Sequence, residues 1–117
     1  MIIKKPSIFI YVHHADPLIL KEVSAGIEEE GVFFEIFDIS NASVENLAAQ
    51  AAQDSMLGSG IGILKADICL KMRGLESRKN IERYSNPTKN QCRNLGSNSA
   101  RIIKKLSLKE EYSGDIE

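Results

Sequence analysis

The sequence contains few of the side chains that small enzymes and metal proteins use. Among its 117 residues there is no tryptophan, and there are only two histidines and two cysteines. Cys69 and Cys92 stand far apart without a second pair, which excludes a disulfide framework and a zinc ribbon. The set of candidate catalytic groups is therefore small, which disfavours catalysis without excluding a small enzyme; no catalytic and no cofactor-binding residue is predicted.

Neither sign of charge is in excess, and no long apolar run is present. The 15 Lys and Arg residues nearly balance the 16 Asp and Glu residues, which leaves a formal net charge of −1. Nucleic acids and anionic membranes select a basic excess, so neither is an expected partner. No apolar stretch approaches the roughly 18 residues of a membrane span, and the first residues lack the apolar core of a signal peptide. We expect a cytoplasmic protein that folds as a single domain over 1–117, with an ordered core over about 7–108 and a polar C-terminal tail.

The first third of the chain has the pattern of a strand, a helix and a second strand. An almost unbroken apolar run over 7–12 is typical of a strand buried on both faces. Asp16 and Pro17 predict the start of a helix, apolar residues follow at spacings of four, and Gly31 predicts its end. Aromatic and β-branched residues over 32–37 predict the second strand. Together these elements indicate a βαβ unit with parallel strands.

The middle of the chain predicts a mixed sheet. Ser43 is expected to cap an alanine-rich second helix, and the apolar runs over 61–64 and 68–72 predict two further strands. A parallel crossover needs about a dozen residues, so these two strands must run antiparallel to each other. Gly60 and Gly62 leave one face of their strand without side chains, which permits the close approach of a helix or of a partner's backbone.

The last third is irregular before it becomes helical. Residues 73–87 show no helical stripe, and a short edge strand over 81–84 is predicted there. Thr88 and Gln91 have the spacing of a capping box for a third helix. Gly96 lies inside that helix, where glycine costs up to about 1 kcal/mol against alanine. We therefore expect close packing to require Gly96.

The histidine pair follows the first strand, at the edge where open α/β sheets place their ligands. One interpretation is a metal or acid–base site formed by His13, His14 and Asp16. Neighbouring strand residues point to opposite faces, and no third ligand completes a metal set. An exposed loop pair is therefore the preferred interpretation.

The glycine cluster and the two cysteines also favour structural roles. Gly58, Gly60 and Gly62 do not fit the dinucleotide-binding fingerprint, and they lead into a strand where a phosphate loop would lead into a helix. Nucleotide binding is therefore disfavoured. Cys69 and Cys92 are expected in the core, because a free cysteine packs like a small hydrophobe.

Three consecutive glutamates, Glu28, Glu29 and Glu30, fall in the last turn of the first predicted helix. Carboxylates at this end face the negative pole of the helix dipole, which is unfavourable. A lysine, an arginine of a partner or a metal ion would relieve the repulsion. From these residues alone, a solvated, frayed helix end is the preferred interpretation.

The segment from Lys21 to Val32, which contains these glutamates, resembles the first helix of the small subunit of diol and glycerol dehydratase reactivases. Two further segments match that family in the same order, Gly60 to Ile63 and Gln91 to Arg101. The similarity covers nearly the whole chain except two loops, at 13–17 and 74–87. No role is carried over to those loops.

This resemblance implies a protein that is not an enzyme and that works by contact. Members of the family resemble the medium (β) subunit of adenosylcobalamin-dependent dehydratases, and they pair with a large subunit that has an actin-like ATPase core. The complex is a chaperone that uses ATP to release damaged cobalamin from the dehydratase, while the small subunit is exchanged for the dehydratase's own β subunit. The implied fold is a three-layer α/β/α sandwich around a mixed, mostly parallel five-stranded sheet with one antiparallel strand.

The resemblance also implies a metal role for the end of the first helix. A glutamate of the family there helps to hold Mg²⁺ at the interface with the ATPase subunit, and by position this role falls on Glu29, with Glu28 and Glu30 as alternatives. The same three residues are the expected partner interface. A carboxylate oxygen suits a hard cation such as Mg²⁺, and no cofactor is expected on the isolated chain.

Other interpretations stay open. One is a β-subunit-like component of the dehydratase itself, which the short length of the chain disfavours. Another is a small-molecule or nucleotide sensor with a flavodoxin-like sheet. A phosphorylation receiver is less favoured, because His13 and His14 stand where paired acids are required. The choice between propane-1,2-diol and glycerol as the substrate of the target dehydratase is also open.

Overall fold

The computed structural model describes residues 5–74 and 81–111, with side chains up to residue 105. Strands and helices alternate through the first half of the chain. The elements are β1 (Ile8–His13), α1 (Pro17–Glu29), β2 (Phe34–Asp38), α2 (Val44–Asp54), β3 (Ser59–Leu64), β4 (Asp67–Met72), β5 (Glu82–Ser85) and α3 (Lys89–Glu111).

The described strands form one five-stranded sheet in the order β2-β1-β3-β4-β5. β1 pairs in parallel with β2 on one side and with β3 on the other. β4 is antiparallel to both of its neighbours, so it alone runs against the other four. Only Lys65 and Ala66 separate β3 from β4, and Lys65 adopts a positive φ of 54° in this tight turn. The mixed sheet predicted from this short connection is confirmed.

Helix starts follow the predicted caps. The Asp16 carboxylate accepts a hydrogen bond from the backbone N–H of Leu18 at 2.9 Å, with Pro17 in the first turn of α1. The Ser43 hydroxyl accepts in the same way from Asn46 at 3.1 Å, ahead of α2. At the start of α3, Thr88 and Gln91 exchange both hydrogen bonds of a capping box, at 3.0 and 3.1 Å.

Helices cover both faces of the sheet. The larger core cluster joins the apolar residues of α1 and α3 to one face of all five described strands. On the opposite face α2 packs over β1, β3 and β4 around Leu47, Ala48 and Ala51. The three-layer α/β/α sandwich is therefore confirmed, with two helices on one side and one on the other.

Close approach of α2 explains the two glycines of β3. A Cβ atom on Gly62 would stand 2.5 Å from the carbonyl oxygen of Val44 and 2.7 Å from the amide nitrogen of Ala48. At Gly60 a Cβ would stand 2.6 Å from the carbonyl oxygen of Ala48. No side chain fits between these backbones, so the expected close approach of a helix is observed.

The cysteines are core residues, as predicted. Cys69 is fully buried between β4 and α2, and Cys92 is 2 % exposed on α3. Burial raises the pKa of the Cys69 thiol to about 11 and also raises that of Cys92. Both side chains act as small apolar groups.

Some element ends differ from the sequence prediction. β2 begins at Phe34, two residues later than predicted, because Gly31 leaves α1 with a φ of +74° and the chain needs Val32 and Phe33 to reach the sheet. α3 stays helical through Glu111, so the polar tail expected from residue 109 is helical in its first part. The rest of that tail lies outside the described residues.

Candidate functional site

The three glutamates at the end of α1 lie against α3. α1 ends at Glu29, and Glu30 is its C-terminal capping residue. No basic residue lies in the last turn of α1 itself. The cations that oppose the glutamates come from α3, namely Arg93, Arg101 and Lys104. The crowded negative end of the helix dipole is therefore relieved within the chain.

α1 and α3 run parallel and in register. Three contacts repeat at a sequence separation of 71: Glu22 with Arg93, Gly26 with Ser97, and Glu30 with Arg101. A constant separation at steps of four means that the two helices advance together along one face. Between the charged pairs, two glycines let the backbones touch, since a Cβ on Gly96 would lie 3.3 Å from the Cα of Gly26.

Glu30 is the most enclosed of the three glutamates. Its carboxylate accepts a hydrogen bond from Nε of Arg101 at 2.9 Å and another from Nζ of Lys104 at 3.3 Å. Its side chain is 16 % exposed. The hydrogen bond from Arg101 holds the pKa of Glu30 below its usual value. Both carboxylate oxygens of Glu30 are thus in use.

Glu29 has a partner on one oxygen. Nη1 of Arg93 donates to its Oε2 at 2.6 Å, while the same guanidinium binds Oε1 of Glu22 through Nε and Nη2 at 3.1 and 2.9 Å. The side chain of Glu29 is 54 % exposed, and its Oε1 has no partner among the described residues. Glu28 is exposed and makes no ion pair with a described residue. The available carboxylate oxygens therefore belong to Glu28 and Glu29.

This geometry fits one ligand of a shared metal ion. Carboxylate oxygens are the ligands that Mg²⁺ takes, and Oε1 of Glu29 is such an oxygen without a partner among the described residues, on a side chain that is 54 % exposed. Among the described residues no group of three or more His, Cys, Asp or Glu side chains is arranged to hold a metal. Any Mg²⁺ at this place would take its remaining ligands from outside the described part of the chain.

An exposed apolar surface adjoins the acidic helix end. Glu28 lines a shallow depression together with the loop from Gly31 to Phe34. Phe33 is 54 % exposed and Ile36 is 43 % exposed. The ammonium of Lys5 lies 4.6 Å above the centre of the Phe33 ring, a cation–π contact. Charged and apolar groups thus alternate on this side of the molecule.

The histidine pair has no set of further metal ligands around it in the part of the chain that the structure describes. Nδ1 of His13 lies 2.9 Å from the carbonyl oxygen of Ile39, to which it donates, and the ring of His13 is partly buried at the end of β1. His14 is exposed, has a φ of +50°, and its ring centre lies 4.3 Å from that of His13. The predicted exposed loop pair is correct for His14, whereas His13 belongs to the strand and helps to anchor residue 39.

Sequence reasoning found the glutamates but missed their partners. The signal that could have identified Arg93 and Arg101 is their spacing of eight on α3, which matches that of Glu22 and Glu30 on α1. Helical residues four or eight apart lie on one face. Two such matched sets of opposite charge, each with a small residue at its centre, indicate a pair of packed helices.

The fold and this surface define the chain as an α/β/α protein with an open contact surface. The chain is an α/β/α sandwich with a mixed 2-1-3-4-5 sheet, and the candidate site is an open surface of carboxylates and apolar side chains. The family profile for the dehydratase medium subunit matches residues 5–109. The chain belongs to the dehydratase medium subunit family.

Two solved structures share this fold. A chain in the structure of a diol dehydratase-reactivating factor complexed with ADP and Mg²⁺ is 29 % identical, with a TM-score of 0.81 over 87 % of this chain and 95 % of that chain. A chain of glycerol dehydratase reactivase is 24 % identical, with a TM-score of 0.76 over 86 % of this chain and 93 % of that chain, and it supports the fold alone. No curated protein sequence gives a significant match. In the described part of the chain no helix is long and apolar enough to cross a membrane.

Proposed function

We propose that this chain is the small, non-catalytic subunit of a dehydratase-reactivating factor. The observation that carries the proposal is the likeness to the reactivating-factor chain, which extends over 95 % of that chain at a TM-score of 0.81. A match of this extent covers a whole subunit of the same size class. The proposed partner is an ATPase large subunit, and the proposed action is exchange for the dehydratase β subunit during ATP-dependent release of damaged cobalamin in the cytoplasm.

The candidate site supports a function by contact. Exposed carboxylates and apolar side chains share one surface, formed by the end of α1 and the start of β2. Transient protein interfaces combine such groups, because an obligate interface of larger apolar area would hinder exchange. A subunit that two partners use in turn needs moderate affinity, and this surface suits that need.

Within this proposal Glu29 supplies one Mg²⁺ ligand to the interface with the ATPase subunit. Its Oε1 has no partner among the described residues, whereas both oxygens of Glu30 are held by cations of α3. Glu28 is the second choice, since it is exposed and unpaired among the described residues. Glu30 is therefore the weakest of the three candidates. The Mg²⁺ in the related reactivating-factor structure is compatible with this role.

Two variants test the metal role, and each of them removes one carboxylate from an ion pair of the same length. Glu29→Gln removes a carboxylate that pairs with Arg93 at 2.6 Å, and Glu45→Gln removes one that pairs with Arg83 at 2.6 Å on the opposite side of the sheet. Binding to the ATPase large subunit is measured by calorimetry in Mg²⁺ and in EDTA. We expect Glu29→Gln to weaken binding about tenfold in Mg²⁺ and to change it little in EDTA, whereas Glu45→Gln leaves both values unchanged. Equal binding of Glu29→Gln and the unmodified chain in both buffers would contradict the metal role.

A second candidate function is a medium-subunit-like component of the dehydratase itself, which the family match favours because that family is named for the dehydratase subunit. Reconstitution separates the two. A reactivase subunit, together with the large subunit and ATP, should restore an inactivated dehydratase and should not replace its β subunit in a working enzyme. Activity of dehydratase assembled with this chain as its only β subunit would favour the second candidate.

A further inference from the structure

The outer edge of β2 carries no strand among the described residues, because β2 ends the sheet. On its inner side the carbonyl oxygen of Phe33 accepts from Ile8 at 2.9 Å, and the amide of Ile39 donates to Val12 at 2.9 Å. Alternate residues of a strand direct their backbone groups to opposite sides. The N–H and C=O groups that point outward therefore belong to the even-numbered residues of the strand: Phe34, Ile36 and Asp38.

This edge is protected differently from the opposite edge. β5 is four residues long, carries the ion-paired Arg83, and is followed closely by Pro87. Short length, charge and proline are the usual means of blocking an edge. β2 is five residues long and has no proline; its charges are both acidic, and Ile36 is 43 % exposed. Acidic charge blocks an acidic strand and leaves the β2 edge open to a basic one.

The charges around the edge indicate what kind of strand it accepts. Glu28, Glu35 and Asp38 lie on or beside it and make no ion pair with a described residue, and the ammonium of Lys5 lies over the ring of Phe33 just before β2. The carboxylates outnumber this cation. A second copy is a poor occupant: antiparallel pairing centred on Ile36 would place the two Glu35 side chains diagonally on one face, roughly 7–8 Å apart. Like charges so placed repel each other. Glu35 and Asp38 lie on opposite faces of the strand, because they are three residues apart. An incoming strand therefore needs lysine or arginine on both faces to neutralise them.

We propose that the β2 edge receives an extended segment of the ATPase large subunit as an added strand, with an apolar side chain beside Ile36 and basic side chains on both faces. This inference rests on the proposed function and names a surface of the same interface. The edge is continuous with the acidic helix end, because Glu28 and Phe34 line one depression. Main-chain hydrogen bonds would supply affinity, and contacts with Ile36 and the carboxylates would supply specificity.

Proline substitutions at the two edges provide the test. Ile36→Pro removes an outward N–H that β1 does not use, and Ser85→Pro does the same at the β5 edge, where the amide of Asn86 donates to Ala66 and that of Ser85 therefore points outward. Ile36→Ala trims the side chain and keeps the N–H. Binding of each full-length chain to the purified ATPase large subunit with ADP and Mg²⁺ is measured by calorimetry, after circular dichroism has confirmed folding.

We expect Ile36→Pro to weaken binding at least tenfold, Ile36→Ala less than threefold, and Ser85→Pro not at all. The charge reversal Glu35→Lys with Asp38→Lys leaves the backbone intact and should also weaken binding at least tenfold; it decides the question if Ile36→Pro does not fold. Normal binding by both the proline and the charge-reversal variants would overturn the edge proposal and leave the proposed function standing. Failure of the unmodified chain to bind would overturn both. A dimer of the isolated chain that Ile36→Pro dissociates would identify a second copy as the occupant and refute the proposal.

Discussion

Replacing Gly96 with alanine should destabilise the protein, although alanine is the better helix former. A Cβ at this position would overlap the carbonyl group of Val23, standing 3.0 Å from its carbon and closer still to its oxygen, and it would lie 3.3 Å from the Cα of Gly26. These are backbone atoms, which cannot rotate away as a side chain can. The helices α1 and α3 would have to move apart.

The expected change in the free energy of unfolding combines two opposing effects, helix propensity and overpacking. Alanine in place of glycine favours a helix interior by about 1 kcal/mol. Overpacking a dense contact costs typically about 1–3 kcal/mol, and a contact between two backbones belongs at the upper end of that range. The net loss in the free energy of unfolding is therefore about 2 kcal/mol. Separation of the helices would also lengthen the Glu22–Arg93 pair, which lies one turn away.

Equilibrium unfolding in urea measures this loss, with Asn94→Ala as the control. Asn94 is exposed on the same helix, two residues before Gly96, so its replacement by alanine should stabilise the protein by a few tenths of a kcal/mol through propensity alone. The unfolding midpoint of Gly96→Ala should fall by roughly 1 M urea at an ordinary slope. A midpoint equal to or above that of the unmodified chain would refute the close packing of α1 and α3.

Two further predictions concern titratable groups. Arg101 depresses the pKa of Glu30 in the folded state, so this carboxylate stabilises the fold above the usual glutamate pKa and loses that effect as the pH falls through its own lower pKa. Glu30→Gln should therefore be less stable than the unmodified chain at pH 7, and it should lose less stability between pH 7 and pH 3. A pH profile of urea unfolding that is the same for both proteins would contradict the ion pair. Cys69 and Cys92 are buried, and the pKa of Cys69 is raised to about 11, so roughly a thousandth of Cys69 is thiolate at pH 8. Neither thiol should react with Ellman's reagent until denaturant is added. Prompt reaction of the folded protein would show that the core opens.

Short-range signals allowed much of the fold to be predicted. The caps at Asp16, Ser43 and Thr88 were readable because each uses a side chain within three residues of the amide that it binds. The antiparallel β4 was readable because two residues cannot make a parallel crossover. Gly60 and Gly62 indicated close packing because a strand with one bare face invites a neighbouring backbone. Each inference depended on a constraint that acts within a few residues.

The environment of the candidate site depended on contacts between distant segments. Whether a metal, a partner or this chain would neutralise the glutamates could not be decided from α1 alone. The answer lies 71 residues further along the chain, where Arg101 meets Glu30. The position of β2 at the edge of the sheet was equally hidden, since strand order depends on which strand pairs with β3. Helix docking and strand order are global properties, and local patterns do not encode them.

The ion pairs also rank the glutamates as ligands for a shared cation. Withdrawal of Glu29 from Arg93 leaves that guanidinium with both of its hydrogen bonds to Glu22, so no cation is stranded. Withdrawal of Glu30 would leave Arg101 and Lys104 without the carboxylate that they share. An exposed pair is cheap to break when its cation keeps another partner, whereas two neighbouring cations repel each other once their common anion has left. Under the proposed function, Glu29 would therefore exchange Arg93 for Mg²⁺ while the packing of α1 on α3 stays intact, as the proposed release and rebinding of this subunit requires.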